Sequence, residues 1–249
     1  MIKYGNLTLD DRDREGMLWV TACEKDATEV KIPLCIDGQH VVGIGAYAFE
    51  NCRLLERVLF DEADEDAYVE GELLSVIEEH AFMGCSSLTE IELPSSVFSV
   101  GHGAFHSCTA LREVKMPSDP YLAPYVFYGC VSLSSVTPTS YPSEGVFSGC
   151  SSLAALPLTD GVEEICEDAF EGCEGLTAAV IGKGVKCIEA LAFRGSSLTS
   201  VTFEEPEGWV EFNSYRGEDI PLDLSNPVAN AELLSRMDFD DGVVHWKKK

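Results

Sequence analysis

The sequence predicts an α/β repeat solenoid: a right-handed stack of like turns, with a parallel β-sheet on the concave face and short helical or irregular segments on the convex one. Three observations lead there. A small residue, Phe, two residues, Cys, two residues and Leu recur as one phrase along most of the chain. The phrase returns at a period near 23 residues, and a fixed period of that size means units that stack. After each phrase, apolar residues alternate with polar ones, the period of a strand with one buried face. The chain of 249 residues then reads as one solenoid domain in three parts: a hairpin cap over 1–29, repeats over 30–204 and a second cap over 205–249.

In chain order the cap comes first. Leu7-Thr8-Leu9 and Met17-Leu18-Trp19-Val20 flank a charged stretch and read as a hairpin that covers the first apolar edge. Glu29-Val30-Lys31-Ile32 is the first repeat-like strand.

The repeats follow as Ala48-Phe49 with Cys52 and Leu55, Ala81-Phe82 with Cys85 and Leu88, and Ala104-Phe105 with Cys108 and Leu111. Val126-Phe127 with Cys130 and Leu133, Val146-Phe147 with Cys150 and Leu153, and Ala169-Phe170 with Cys173 and Leu176 continue them. A last copy, Ala192-Phe193 with Leu198, has Ser196 at the Cys position. Successive Phe residues are 33, 23, 22, 20, 23 and 23 apart. Leu88, Ile91 and Leu93 have the L-x-x-L-x-L spacing of leucine-rich repeats, and Pro94, lacking a donor, ends the strand. Phe supplies the large core filler of each turn and Cys the small one. A thiol at one fixed position, replaced once by Ser, is a packing residue rather than half of an obligate disulfide. Cys23, Cys35, Cys166 and Cys187 sit elsewhere and suggest no pairing.

The step of 33 places an insertion at 61–71, rich in Asp and Glu, which reads as a solvated acidic loop. The fourth and fifth turns are irregular, with Pro117, Pro120, Pro124, Pro138 and Pro142 among Tyr121, Tyr125, Tyr128 and Tyr141. At the end, Trp209–Phe212 and Pro221–Leu224 read as strands. Ser225 then caps a helix whose Ala229, Leu233 and Leu234 face inward. Val243–Trp246 reads as a closing strand and Lys247–Lys249 as a solvated tail.

A net charge of −26 repels phosphate backbones and anionic lipid, which argues against nucleic acid and membrane surfaces as partners. No apolar run is long enough to span a bilayer, and the first residues lack the apolar core of a secretory leader. Catalysis finds no footing. His102 and His106 have a zinc-pair spacing, but Gly103-Ala104-Phe105 between them is ordinary repeat; H-E-x-x-H, C-x-x-C and G-x-S-x-G are all missing. No catalytic residue, metal site or cofactor is therefore expected. Recognition falls to exposed side chains. Glu90, Glu92, Arg112 and Lys115 on the strands, with Tyr121, Tyr125 and Tyr141 on the irregular turns, are the candidate protein-binding residues.

The string Ile44-Gly45-Ala46-Tyr47-Ala48-Phe49-Glu50-Asn51-Cys52 and the run Cys85 through Pro94 closely match I-G-x-x-A-F-x-x-C-x-x-L-x-x-I-x-L-P. On these motifs the chain resembles the BspA-like leucine-rich repeat family, leucine-rich repeat type 5, over about residues 30–204. The resemblance implies a bacterial surface or secreted protein that adheres to host proteins or other cells. It carries over no catalytic residues and no fixed binding residues. The expected function is a non-enzymatic scaffold for a protein partner, with carbohydrate or cell-wall binding as the alternative. For location, the family points to the cell surface, whereas free thiols and a start without a leader point to the cytoplasm.

Overall fold

The computed structural model describes residues 1–12, 16–61, 73–116, 119–140, 142–213, 217–236 and 244–249. They form two compact units, Met1–Thr137 and Pro138–Lys249.

In Met1–Thr137 each turn carries two short strands, so two parallel ladders run along the stack where one was expected. The first ladder joins Leu18–Cys23, Gln39–Ile44, Val76–Ile77, Ser99–Val100 and Tyr121–Leu122. Its inward residues, Ile44, Ile77, Val100 and Leu122, are fully buried. The second ladder is the expected one, with Glu29–Ile32 beside Arg57–Phe60 and Glu90–Glu92 beside Glu113–Lys115 and Ser135–Val136. The outer hairpin is Leu7–Asp10 antiparallel to Leu18–Cys23, and Ile2–Tyr4 adds a further antiparallel strand outside it. Arg12 ties this edge to the stack. Its guanidinium makes two bonds to the Glu78 carboxylate, at 2.7 and 2.8 Å, and lies over the Trp19 ring.

Between the two strands of a turn lies the Ala-Phe segment, and its form is irregular rather than helical. Alternate N–H groups leave the turn. Tyr47, Phe49 and Asn51 donate to Glu79, Ala81 and Met83 of the next turn, while Ala48, Glu50 and Cys52 donate back to Gly45, Tyr47 and Phe49. The alternation requires a left-handed residue two before and two after each Phe. Tyr47 and Asn51, His80 and Gly84, Gly103 and Ser107, Tyr125 and Gly129 all have positive φ. Gly101 answers a different demand: a Cβ there would lie 2.6 Å from the Glu79 backbone nitrogen, and backbone cannot yield.

The core is a column of rings. Phe49, Phe82, Phe105 and Phe127 stack with centroids 4.6, 5.1 and 5.6 Å apart, and each is fully buried. Beside them the thiols are more than small fillers. Cys85, Cys108 and Cys130 each donate an S–H to the carbonyl of Phe49, Phe82 and Phe105, one turn back, at 3.1 Å. All ten cysteines are free. Cys23 also belongs to the pattern, contrary to expectation. Its N–H bonds Ala48 as that of Phe49 bonds Ala81, so it stands at the Phe position of the turn before the first.

Pro138–Lys249 repeats the same physics. Phe147, Phe170 and Phe193 stack at 5.6 and 5.5 Å, and Cys173 donates to Phe147. Glu164–Ile165 pairs with Cys187–Ile188, and Ala178–Ile181 with Ser200–Phe203, all parallel. Its C-terminal end differs from the expected one in four ways. The second of the late strands is Glu218–Pro221, antiparallel to Trp209–Asn213 and stopped by Pro221 rather than begun by it. The cap of helix Pro227–Ser235 is Asn226, whose side chain accepts from Val228 and Ala229; Ser225 lies one residue too early. The buried face is Asn230, Ala231 and Leu234, while Leu233 is exposed. Asn230 Nδ2 donates to the carbonyls of Val201 and Leu224 and so holds the helix on the last repeat strand. Finally, Lys247 and Lys248 belong to the closing strand Val244–Lys248 and are not a loose tail. Lys247 and Lys249 pair with Asp219, and Lys248 with Glu205. Val243 lies outside the described residues, as do 62–72 of the insertion and Pro117.

Candidate interaction surface

The repeated residues are consumed by the core, so the chemistry left to solvent is what each strand turns outward. On the second ladder of Met1–Thr137 alternation buries Val30, Val58, Ile91 and Val114. It turns out Lys31, Arg57, Leu59, Glu90, Glu92 and Lys115, with Glu113 half-buried. Neighbours across the ladder pair where their charges allow: Arg57 with Glu29 and Lys115 with Glu92, each at 3.5 Å, and Lys31 with Asp61. Glu90 is different. Its register partner is Glu113, a like charge, and neither forms an ion pair among the described residues. The corresponding positions in Pro138–Lys249 are Ala178, Val180, Ser200 and Thr202, with no charge at all.

The second ladder is also broken. Among the described residues no ladder joins Arg57–Phe60 to Glu90–Glu92, and the Thr89 N–H to Glu56 carbonyl contact, at 3.4 Å, holds only one end. The first ladder is continuous between the same turns, through Gly43 with Val76 and Ile44 with Ile77. A cavity of about 750 Å3 opens at the break. Leu34, Leu59, Phe60, Leu73 and Pro94 supply its apolar wall; Arg57, Asp61, Glu90, Glu92, Glu113 and Lys115 stand at its rim.

The candidate residues therefore fall into separate places. Glu90, Glu92 and Lys115 meet at this cavity. Arg112 is exposed one position before the strand Glu113–Lys115 and gives its carbonyl to the N–H groups of Ser134 and Ser135. Tyr121 is on the first ladder, 52% exposed, with Phe98 at 63% on the preceding turn, whose carbonyl accepts the Tyr121 N–H. Tyr125 belongs to a third place, a file of rings on the Ala-Phe corner. Tyr47 packs on His80, His80 on His102, His102 on Tyr125, and His106 stacks on Tyr128 at 4.8 Å. Burial, then the neighbouring His80 and His102, hold the His106 imidazole below its ordinary pKa. Tyr141 lies outside the described residues.

Sequence reasoning missed the cavity, because an insertion reads as extra loop and not as a gap in pairing. It also missed Phe98, which a one-face reading leaves unassigned. Among the thiols, Cys52 is pushed down to about 7 by the hydrogen bond from Cys23 and by the Lys25 ammonium 3.8 Å from its sulfur. Both thiols are buried. Among the described residues no group of three or more His, Cys, Asp or Glu side chains is disposed to hold a metal ion. Nor is any described helix long and apolar enough to cross a membrane.

Against known proteins, the model of the BspA type leucine rich repeat region matches in six copies, over residues 24–140, 75–199 and 140–217. No curated protein matches the chain. Among solved structures, a T. pallidum leucine-rich repeat protein is 26% identical with a TM-score of 0.56, over 82% of this chain and 83% of that one. A leucine-rich repeat protein from Eubacterium ventriosum is also 26% identical with a TM-score of 0.56, over 74% of this chain and 50% of its own. A leucine-rich cell surface protein from Faecalibacterium prausnitzii shares the fold at 18% identity, with a TM-score of 0.53, over 91% of this chain and 61% of that one. The aligned part thus spans half of the Eubacterium protein's length.

Proposed function

The chain belongs to the BspA-type leucine-rich repeat family, and we propose that it is a non-enzymatic scaffold that binds another protein through the second ladder of Met1–Thr137. One observation carries this reading. The outward strand positions there hold the charged row of Glu90, Glu92, half-buried Glu113 and Lys115 around a cavity, while the residues that every turn repeats are spent on packing. Within this reading, 1–29 and 205–249 cap a right-handed array over 30–204, the hand that parallel crossover connections favour. Adhesion at a bacterial surface is the biological setting the family suggests. Nucleic acid is an unsuitable partner for a chain of net charge −26.

The test is capture of a partner from host or bacterial extract by the full chain and by a variant carrying Glu90→Lys, Glu92→Lys and Lys115→Glu. These are exposed strand positions, so the fold should persist. Loss of the captured protein in the variant, with an unchanged melting curve, supports the ladder as the surface; equal capture moves the site elsewhere. A second reading, carbohydrate binding, has one observation in its favour, the exposed pair Phe98 and Tyr121 on the first ladder. A glycan array run with Phe98→Ala/Tyr121→Ala separates the two.

A further inference from the structure

Among the described residues, the cavity at the ladder break joins an apolar wall to a charged rim, and the inference rests on the protein-binding reading above. Its wall carries Leu34, Leu59, Phe60 and Leu73, with Leu59 38% exposed. Its rim holds Asp61, Glu90, Glu92 and Glu113 against Arg57 and Lys115. Both rim cations already have carboxylate partners, Glu29 and Glu92, and Asp61 has Lys31. What remains is the Glu90–Glu113 pair, two like charges held side by side by the ladder register. Carboxylates so placed repel one another. A cation set between them would turn that cost into attraction on both sides.

We infer that the cavity receives a basic peptide segment of a partner protein, with a Lys or Arg side chain between Glu90 and Glu113 and an aliphatic neighbour against Leu59. Charge decides against the two internal candidates. The chain's own segment 62–72 is joined to Asp61 and Leu73, which line the cavity, but it carries six carboxylates and no Lys or Arg. A second copy of the chain brings a net charge of −26 to an acidic rim. A cationic segment has the complementary sign, and long-range attraction speeds its encounter.

The experiment is fluorescence anisotropy with the full chain and a labelled probe, Lys-Leu-Lys-Val-Lys-Leu, beside a matched probe with Glu for each Lys. The basic probe should saturate and the acidic one should not. Glu90→Gln/Glu113→Gln should weaken the basic probe about tenfold, a factor worth about 1.4 kcal/mol. Leu59→Ser should weaken it as well, and salt raised from about 0.05 to about 0.5 M should do the same. Glu207→Gln/Glu232→Gln removes the same charge elsewhere and should change nothing. Equal weakening by that control pair, or equal binding of the acidic probe, overturns the inference. So does a tenfold or greater tightening when 62–72 is replaced by Gly and Ser, since the chain's own segment would then be the occupant. If the probe fails while the ladder variant still loses its captured partner, the scaffold reading stands and the cationic groove alone falls.

Discussion

The thiol of Cys108 donates to the carbonyl oxygen of Phe82, 3.1 Å away and one turn back along the stack. The same carbonyl accepts the Cys85 N–H of its own turn, so the thiol is a second, cross-turn partner. Burial holds the Cys108 thiol well above its usual pKa, which keeps the donor proton in place at neutral pH. The conserved geometry at Cys85, Cys130 and Cys173 makes the S–H a structural bond between turns. Cys108→Ala therefore removes a bond of about 0.5–1.5 kcal/mol together with packing volume. Its urea midpoint should fall. An unchanged midpoint would return the thiol to the role of plain filler.

Ser196 tests the same bond in reverse. It occupies the Cys position of the last copy, and its Oγ is buried with no hydrogen-bond partner. A hydroxyl is shorter than a thiol and fails to reach the carbonyl of Phe170, the equivalent acceptor. Ser196→Cys should restore the bond and remove an unsatisfied buried oxygen, gaining about 1 kcal/mol. The measurement is the urea midpoint of the single variant. A loss of stability would mean that the last copy has relaxed away from the register of the others.

Phe105 and Phe98 are seven residues apart and differ in kind. Phe105 is fully buried between Phe82 and Phe127, whereas Phe98 is 63% exposed. Phe105→Ala should cost about 3–5 kcal/mol, enough to take up much of the stability of an ordinary domain. Phe98→Ala should fall within about 0.5 kcal/mol of the parent. Comparable melting temperatures for the two variants would contradict the ring column as the core.

Much of this was legible because one period dominates the sequence. The Phe and Cys columns and the strand Glu90–Glu92 followed from spacing alone, since a residue needed once per turn announces its position. The first ladder stayed hidden because its strands are as short as Ser99–Val100, too brief for alternation to register. Its signal was present as apolar residues five and eight before Phe, as in Val97 and Val100 before Phe105. Cys23 was unreadable as a column member because it replaces Phe with a residue of half the size. The helix was placed, but its face was misjudged: Asn230 is buried for the two carbonyls it bonds, a reason that hydrophobic periodicity does not encode. Of the candidate site, the outward strand residues could be read directly; the cavity depends on pairing lost between two turns, which has no residue of its own.

Acid should act in opposite senses through Asp168 and His106. Burial, then repulsion from Glu171 and Glu167, raises Asp168 to about 6 from an ordinary 3.8. The folded state thus binds this proton more tightly than the unfolded chain, so the ionised group opposes folding at neutral pH, and stability is gained as pH falls through about 6. Glu164 and Glu167, raised chiefly by burial, act in the same sense. His106 is lowered from an ordinary 6.5 by burial and by His80 and His102, so the unfolded chain takes up the proton first and stability is lost as pH falls through about 6.5. Asp168→Asn should raise the urea midpoint at about pH 7.5 and lose that advantage near pH 5. His106→Phe keeps a ring against Tyr128 and should abolish its share of the acid-side loss, so that its advantage grows as the pH falls. Midpoint shifts that are the same at both pH values would show that neither group titrates differently in the folded chain.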